Sequence, residues 1–355
     1  MTDHNSSRRS FLQAAAPAVA GTLAAASFSS GAFAQSGGSS PTKGHAAHDP
    51  AAMWTHEYWA NRGDIKLNMF RKRLGAPQKG AYPLPILFLV HGSSTSSRSS
   101  FDLTVPGHSA YSFMDTFAGY GFDVWTMDFE GYGRSSPSHG NSNIADGVED
   151  LKAAVEIVAH ETGQEKFHFL GESSGALRAG AYAMAQPERV DRMVLAAFTY
   201  TGKGSPTLAN RAKQLEFYRT HNLRPRDRDM IRSIFTRDKL GTSDPAVAEA
   251  LADAELKFGE TVPTGTYLDM TENLPVVDPL KVQAPVLLAR GQYDGIATDE
   301  YILDFFAKLP CPDKQVAVLP GLAHSLALGK NRVLFWHVSR EFLSMPKPAN
   351  PEASA

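Results

Sequence analysis

The chain has 355 residues, of which 43% are hydrophobic and 20% are charged, proportions that are ordinary for a globular protein large enough to bury a sizeable core. Its formal net charge of -2 gives no electrostatic reason to expect binding to nucleic acid or to an anionic membrane surface. The single cysteine, Cys311, excludes an internal disulfide.

The N-terminal segment carries an export pattern. Arg8 and Arg9 precede an alanine-rich run, and an A-x-A sequence follows at 32–34. This pattern predicts a twin-arginine signal peptide over 1–34, and therefore a periplasmic or secreted protein. Pro17 and several glycines and serines interrupt the apolar run, so a permanent membrane span is not expected. The alternative is a disordered alanine-rich leader.

Residues 35–54 are rich in Gly, Ser, Ala and Pro and are predicted to form a flexible linker. Within it His45, His48 and Asp49 have a spacing that could hold a metal ion. A solvated linker is the favoured interpretation, because no further ligand lies within reach in an ordered element. The segment 346–355 is predicted to be a disordered tail.

The first part of the core is predicted over 55–200, where strands and helices alternate. Such alternation favours a mostly parallel sheet with crossover helices. The run at 84–90 is almost continuously apolar, as expected for a strand that is buried on both faces. The predicted elements are two short strands between 57 and 74, strands at 84–90, 122–127, 166–171 and 193–198, and helices at 113–120, 143–162 and after Gly175.

The alternation stops over 201–280, which has helical patterns with many charges and no convincing strand. We interpret this segment as a helical cap insertion above the edge of the sheet. The core resumes over 281–345, with strands at 284–290 and 315–319 and helices at 301–309 and 332–345. The apolar residues of the last helix that are predicted to face inward are Val333, Leu334, Val338, Phe342 and Leu343.

The sequence Gly-Glu-Ser-Ser-Gly at 171–175 follows an apolar strand and precedes a run of small residues. A G-x-S-x-G pattern in this context is typical of a sharp strand-to-helix turn that exposes the central serine. Ser173 is therefore the candidate nucleophile, and Ser174 lies one position beyond the motif. The alternative is a glycine-rich turn of the kind that occurs in any α/β protein.

Two further polar residues follow predicted strands. Asp294 comes after the strand at 284–290, and His324 comes after the strand at 315–319. Because the carboxyl ends of parallel strands lie along one edge of a sheet, we expect both side chains to approach Ser173.

Each of these assignments has a rival. His337 also follows the candidate acid in the sequence, but it lies in the middle of a predicted helix, and its neighbours Trp336 and Val338 indicate that it packs inside the protein. Asp299 and Glu300 are alternative acids, although only Asp294 lies directly at a strand end.

The sequence from Glu57 to Met345 resembles the α/β-hydrolase superfamily. The resemblance rests on five segments in order: the His91-Gly92 loop, the segment 128–135, the elbow at 171–175, the turn at 291–294 and the loop at 321–324. The chain order of serine, aspartate and histidine is also that of this fold. The resemblance implies an α/β-hydrolase fold, with a mostly parallel central sheet flanked by helices and a helical cap insertion.

The resemblance further implies nucleophilic acyl transfer. Ser173 would attack a carbonyl carbon, His324 would take up and later return the proton, and Asp294 would orient the imidazole. The backbone N–H groups of Ser93 and Ser174 would form the oxyanion hole. The reaction requires no cofactor, and no metal cluster is visible in the sequence.

A serine at the elbow argues against the relatives that open epoxides or remove halides, since these use an aspartate there. Hydrolysis of a small-molecule carboxylic ester is the leading hypothesis. Cleavage of a thioester, an amide, a lactone or a carbon–carbon bond uses the same three residues and remains open. A binding protein without turnover is a further alternative. The oligomeric state is left open.

The cap supplies apolar residues that could line an acyl or aryl pocket or form the core of the insertion. Phe217 and Phe235 are the predicted substrate-binding residues among them, and Glu172 would either contact substrate or orient the elbow. His91 is expected to hold its loop, and His168 is expected to be a core histidine. The apolar cap residues are Phe217, Tyr218, Ile231, Ile234, Phe235, Tyr267 and Met270.

Overall fold

The computed structural model describes residues 52–108 and 110–347. The predicted signal peptide over 1–34, the histidines of the linker and the tail beyond residue 347 lie outside the described residues. The linker prediction extends too far at its C-terminal end. A strand begins at Met53, because Met53 pairs with Leu74 at the open end of an antiparallel hairpin and this pairing orders the last residues of the predicted linker.

The centre of the fold is an eight-stranded sheet with the spatial order β1 (Met53–Arg62), β2 (Ile65–Leu74), β4 (Asp123–Met127), β3 (Ile86–Val90), β5 (Phe167–Glu172), β6 (Val190–Ala196), β9 (Val286–Gly291) and β10 (Lys314–Leu319). β2 runs antiparallel to β1 and β4, and all other neighbouring pairs are parallel. The predicted mostly parallel sheet is therefore confirmed. The two remaining strands, β7 (Leu223–Pro225) and β8 (Thr261–Pro263), form a separate two-stranded sheet.

The two faces of the sheet are covered by two hydrophobic clusters, as the apolar run of β3 indicates. Phe88 belongs to the cluster on one face, and its neighbours Leu87 and Leu89 belong to the cluster on the other. Successive side chains of a strand point to opposite faces, so a strand in the middle of the sheet must be apolar throughout.

Helices cover both faces. The α-helices are α1 (Ser97–Phe101), α2 (Phe113–Gly119), α3 (Ile144–Thr162), α4 (Ser174–Ala185), α5 (Pro206–Ala212), α6 (Leu215–Thr220), α7 (Arg228–Thr236), α8 (Pro245–Glu255), α9 (Gly265–Glu272), α10 (Asp299–Lys308) and α11 (Arg332–Leu343). Of these, α3, α4 and α10 contribute to the first cluster, and α2 and α11 contribute to the second.

The boundaries of α3 agree with the helix predicted at 143–162, because both of its ends carry capping residues. The Asn143 side chain accepts a hydrogen bond from the N–H of Asp146, and the Asp146 carboxylate accepts one from the N–H of Asn143. This reciprocal capping satisfies two N–H groups that the first turn leaves free. The helix ends at Gly163, whose φ of 68° is a left-handed conformation that favours glycine.

The insertion contains α5 to α9 together with a short two-stranded ribbon. β7 pairs with β8 in antiparallel register, so the expectation of an insertion without strands is wrong. Each strand has three residues and includes a proline. Three residues are too few for an alternating pattern to be visible in the sequence.

α11 is rotated relative to the sequence-based expectation. Val333 and Leu334, which were predicted to face inward, are exposed, whereas Phe335 and Trp336 are buried with Phe342. The larger aromatic side chains bury more apolar area, and they therefore determine which side of the helix faces the sheet.

No helix among residues 52–108 and 110–347 is both long enough and apolar enough to cross a membrane.

Candidate active site

Ser173 lies at a sharp turn between β5 and α4. Its φ of 61° and ψ of -125° form a strained backbone conformation that non-glycine residues rarely adopt. The flanking glycines make this turn possible. A Cβ atom at Gly175 would collide with the carbonyl oxygen of Val90, and one at Gly171 would collide with the backbone of Gly175. The predicted strand–turn–helix context of the motif is therefore present.

The structure brings Ser173, His324 and Asp294 together. His324 lies in the loop after β10, and its Nε2 atom is 2.9 Å from the Oγ atom of Ser173. Its Nδ1 atom is 2.9 Å from the Oδ1 atom of Asp294, which lies after β9. These three loops converge because β5, β9 and β10 run in the same direction and end at the same edge of the sheet.

The hydrogen bonds around Asp294 keep its carboxylate ionised. Burial by itself raises the pKa, but His324 and the N–H groups of Ile296 and Ala297 outweigh this effect and hold the pKa below its usual 3.8. Those N–H groups donate to Oδ1 at 2.8 and 3.0 Å. An ionised acceptor places the imidazole proton on Nδ1, so Nε2 is left to accept the proton of the Ser173 hydroxyl.

The rival residues do not reach this arrangement. His337 is exposed on α11, which contradicts the expectation that it packs inside the protein. Asp299 pairs with Arg290, and Glu300 pairs with Lys203 at the surface.

The hydroxyl of Ser174 is fully buried and accepts a hydrogen bond from the hydroxyl of Ser93 at 2.6 Å. It does not contact His324. His168 is buried within β5, as expected of a core histidine.

The two predicted oxyanion donors lie on either side of Ser173. Ser174 is the first residue of α4, and Ser93 follows Gly92, whose position is so close to the elbow that an added Cβ would lie 3.3 Å from the Cβ of Ser173. Within the described residues, the N–H groups of Ser93 and Ser174 have no hydrogen-bond acceptor. Two free N–H groups beside a nucleophile are suited to bind a developing negative charge.

His91 holds the loop that carries Ser93. The N–H of Phe129 donates to Nε2 of His91 at 3.2 Å, so Nδ1 must carry the proton and donate to the carbonyl oxygen of Gly92 at 2.8 Å. Burial, reinforced by the nearby charge of Arg178, lowers the pKa of His91 to about 3. The imidazole is therefore a neutral structural group, in agreement with the prediction.

Hydrogen bonds to two buried carboxylates hold the serine-rich segment, residues 93–100, in place. The N–H and hydroxyl of Ser97 donate to Asp128 at 2.9 and 2.6 Å. The N–H and hydroxyl of Ser96 donate to Glu255 of the cap at 2.7 and 2.6 Å, and Glu255 also pairs with Arg226. Hydrogen bonds to Glu255 therefore connect the cap directly to the segment that begins with Ser93, a candidate oxyanion donor.

Cap and core together line a pocket that contains Ser173 and His324. Of the predicted substrate-binding residues, Glu172 and Phe235 line it. Phe217 does not. It stacks on His221 with 4.3 Å between ring centroids and borders a separate groove, because α6 buries Tyr218 instead. The pocket-lining residues from the cap are Arg211, Ile234, Phe235, Arg237 and Leu251.

Three charged residues of this region carry no sequence signal that marks them as site residues. Arg211 and Arg237 line the pocket, and Asp238 places a carboxylate oxygen within 4.8 Å of the donor atoms of Asp294 and His324. The spacing of these three donors is compatible with a metal ion, but two of them already bond to each other beside Ser173. Charged residues are frequent in the cap, and nothing in the local sequence distinguishes buried ones from solvated ones.

Comparisons with known proteins agree with this architecture. Residues 86–331 match the family described as "Serine aminopeptidase, S33". A curated 2-hydroxy-6-oxononadienedioate/2-hydroxy-6-oxononatrienedioate hydrolase from Paraburkholderia phymatum is 34% identical over 127 residues, which are 34% of this chain and 38% of that protein. The chain therefore spans well under half the length of this curated relative.

Solved structures are similar over most of the chain. A carboxylesterase from Bacillus subtilis has 20% identity and a TM-score of 0.59, covering 83% of this chain and 93% of its own. A 2-hydroxy-6-oxo-6-phenylhexa-2,4-dienoate hydrolase from Rhodococcus has 20% identity and a TM-score of 0.60, covering 82% and 99%. Identities this low show a shared fold alone. The family match covers more than half of the chain and shows that the chain belongs to the serine aminopeptidase family, and the solved structures show that it has the α/β-hydrolase fold.

Proposed function

We propose that the protein is a serine hydrolase that cleaves a small-molecule carboxylic ester through an acyl-enzyme intermediate. The observation that carries the proposal is the continuous pair of 2.9 Å contacts from Ser173 through His324 to Asp294. A serine hydroxyl is a weak nucleophile at neutral pH, and such a relay is the usual means of activating it.

In the proposed reaction, Oγ of Ser173 attacks the ester carbonyl carbon while Nε2 of His324 takes up the hydroxyl proton. The tetrahedral oxyanion accepts hydrogen bonds from the N–H groups of Ser93 and Ser174. One such donor typically lowers the barrier by about 3 to 4 kcal/mol. The carbon–oxygen bond to the alcohol then breaks, and His324 gives its proton to the leaving oxygen. Water repeats the sequence on the acyl-enzyme and releases the acid.

The pocket also supplies apolar surface for the substrate. Phe101 and Leu328 from the core face the same space as Ile234, Phe235 and Leu251 from the cap. Apolar walls around a few polar groups are typical of small-molecule sites.

The decisive experiment compares wild type with Ser173→Ala on p-nitrophenyl butyrate. We expect wild type to show a burst of nitrophenolate equal to the enzyme concentration and the variant to lose at least about 10³-fold in kcat. Ser325→Ala is the matched control, because Ser325 also lines the pocket but lies outside the relay. Equal release by wild type and Ser173→Ala would refute the proposal.

A second candidate is hydrolysis of a carbon–carbon bond, which the 34% identity to the Paraburkholderia hydrolase favours. It requires the same Ser173 and His324 but a keto-acid substrate. Incubating the enzyme with a 2-hydroxy-6-oxodienoate separates the two. Loss of the dienol absorbance with kcat/KM above that for the ester would make ester hydrolysis the secondary activity.

A further inference from the structure

Two arginines of the cap line the same pocket as Ser173 and His324. Arg211 belongs to α5, and Arg237 follows the last residue of α7. Both are only partly accessible to solvent. The proposed hydrolysis uses neither guanidinium group, so another role has to account for their position beside the nucleophile.

Arg211 has no anionic partner within the described residues. It forms no ion pair and no side-chain hydrogen bond there, and its Nη1 atom is shielded from solvent without an acceptor. Its guanidinium lies 5.1 Å from the ring centroid of Tyr267, a cation–π contact that holds the group in place but does not neutralise it. Burial, together with the charge of Arg237, lowers the pKa of Arg211 to about 10, so the group is still charged near neutral pH.

The neighbouring carboxylates are hydrogen-bonded through Oδ1, whereas their Oδ2 atoms are shielded from solvent and have no donor within the described residues. Asp238 accepts hydrogen bonds from Nε of Arg237 at 3.1 Å and from the hydroxyl of Thr207 at 3.2 Å. Asp294 is bound by His324 and by two backbone N–H groups.

Glu172 also lines the pocket, and its carboxyl accepts the N–H of Leu326 at 2.7 Å. None of these three carboxylates forms an ion pair or a hydrogen bond with Arg211, whose Nη1 atom has no acceptor. Nη2 of Arg237 is likewise shielded from solvent and has no acceptor within the described residues.

A charged group that is partly shielded from solvent and has no partner is costly, and the cost is recovered when a ligand supplies the missing charge. We propose that Arg211, assisted by Nη2 of Arg237, binds a carboxylate of the substrate, so that the ester cleaved at Ser173 is a half-ester of a dicarboxylic acid. The planar guanidinium fork matches the two oxygens of a carboxylate. This inference rests on the proposed hydrolase function, and it specifies in addition that the substrate carries a negative charge.

The test compares two esters of equal shape, monomethyl glutarate and methyl 5-methylhexanoate, at constant ionic strength. In the second ester an isopropyl group replaces the carboxylate. We expect wild type to have at least about 10-fold higher kcat/KM for monomethyl glutarate, because a site that is built for a polar group rejects analogues without it. In Arg211→Met this ratio should fall to about 1.

Arg232→Met is the matched control. Arg232 is another cap arginine, but it pairs with Glu249 and Asp229 at the surface. The ratio of the two kcat/KM values should remain that of wild type in this variant. A wild-type ratio near 1, or an equal fall of the ratio in both variants, would overturn the assignment.

If Arg211→Met does not fold, ligand binding to the wild-type enzyme tests the proposal instead. Calorimetry should show glutarate binding at least about 10-fold more tightly than uncharged glutaramide and than inorganic phosphate. Equal binding of glutarate and glutaramide would refute the subsite, and tighter binding of phosphate would refute a carboxylate as its ligand. Hydrolysis of both esters without a preference would support the hydrolase proposal and refute the carboxylate subsite. Selective glutarate binding without hydrolysis of either ester would support the subsite and refute the hydrolase proposal.

Discussion

The carboxyl of Glu172 accepts a hydrogen bond from the backbone N–H of Leu326 at 2.7 Å. Glu172 precedes the candidate nucleophile, and Leu326 follows the candidate base by two positions. This bond therefore connects the elbow to the histidine loop independently of the contact between Ser173 and His324. Burial raises the pKa of Glu172 to about 7, although His324 and the N–H groups of Leu326 and Ala327 act in the opposite direction.

The raised pKa predicts a loss of stability with increasing pH. The folded protein holds the Glu172 proton up to about pH 7, whereas the unfolded chain releases it near pH 4.5. The stabilising contribution is therefore full below pH 4.5 and disappears as the pH rises through 7. Between pH 5 and 8 we expect wild type to lose about 2 kcal/mol of unfolding free energy relative to Glu172→Gln, as measured by urea titration. Parallel pH profiles for the two proteins would contradict the prediction, and Glu149→Gln, at an exposed position, serves as the control.

Removing the charge of Asp294 should disable the relay. In Asp294→Asn the side chain no longer favours the imidazole tautomer that accepts the serine proton. We expect kcat for an ester to fall by roughly 10³-fold or more with little change in the thermal midpoint. Asp299→Asn, which alters the rival acid, should retain activity within about 3-fold of wild type. The reverse order of effects would assign the acid to Asp299.

His91 predicts a sensitivity to acid. Its pKa is about 3 in the folded protein and near 6.5 when unfolded, so its contribution to stability is present above pH 6.5 and is lost as the pH falls. Between pH 7 and pH 4.5, the loss of this contribution should lower the free energy of unfolding by about 3 kcal/mol. His91→Gln should be less stable at pH 7 but should lose less on acidification, whereas exposed His337→Gln should follow the wild-type profile. Identical slopes for wild type and His91→Gln would show that His91 is not buried as a neutral ring.

Gly175 is expected to tolerate no side chain. Its Cβ would collide with the carbonyl oxygen of Val90, an atom that the central strand β3 holds in place. Gly175→Ala should reduce the unfolding free energy by about 3 kcal/mol or more, whereas Gly119→Ala, where a Cβ meets no atom within 4 Å, should change it by less than about 1 kcal/mol. Chemical denaturation of both variants measures the difference. Similar values for the two would mean that the elbow is not tightly packed against β3.

Glu255 connects the cap to the serine-rich segment. It is fully buried, pairs with Arg226 and accepts hydrogen bonds from Ser96. Glu255→Ala leaves the guanidinium of Arg226 buried and unpaired, so we expect a loss of about 3 kcal/mol or more. Glu249→Ala removes an exposed pair with Arg228 and Arg232 and should cost less than about 1 kcal/mol. A comparable cost for the two variants, measured by thermal unfolding, would show that solvent replaces the buried pair.

The sequence by itself determined the sheet, the helices on its faces and the positions of Ser173, Asp294 and His324. These features follow from local rules. A strand buried on both faces must be apolar, the elbow needs its flanking glycines, and loops after parallel strands meet at one edge. The β7–β8 ribbon and the rotation of α11 were not predicted, because short strands carry no alternating pattern and an amphipathic helix with large apolar residues on several sides has no single inward face.

Only the tertiary structure decided the environment of the cap residues. Arg211 and Arg232 are alike in the sequence, yet the first reaches the pocket without a partner and the second pairs with carboxylates at the surface. Phe217 and Phe235 likewise look equivalent, but only Phe235 faces the nucleophile. Burial and pairing of a side chain depend on how the cap lies against the core, a long-range arrangement that no local pattern records.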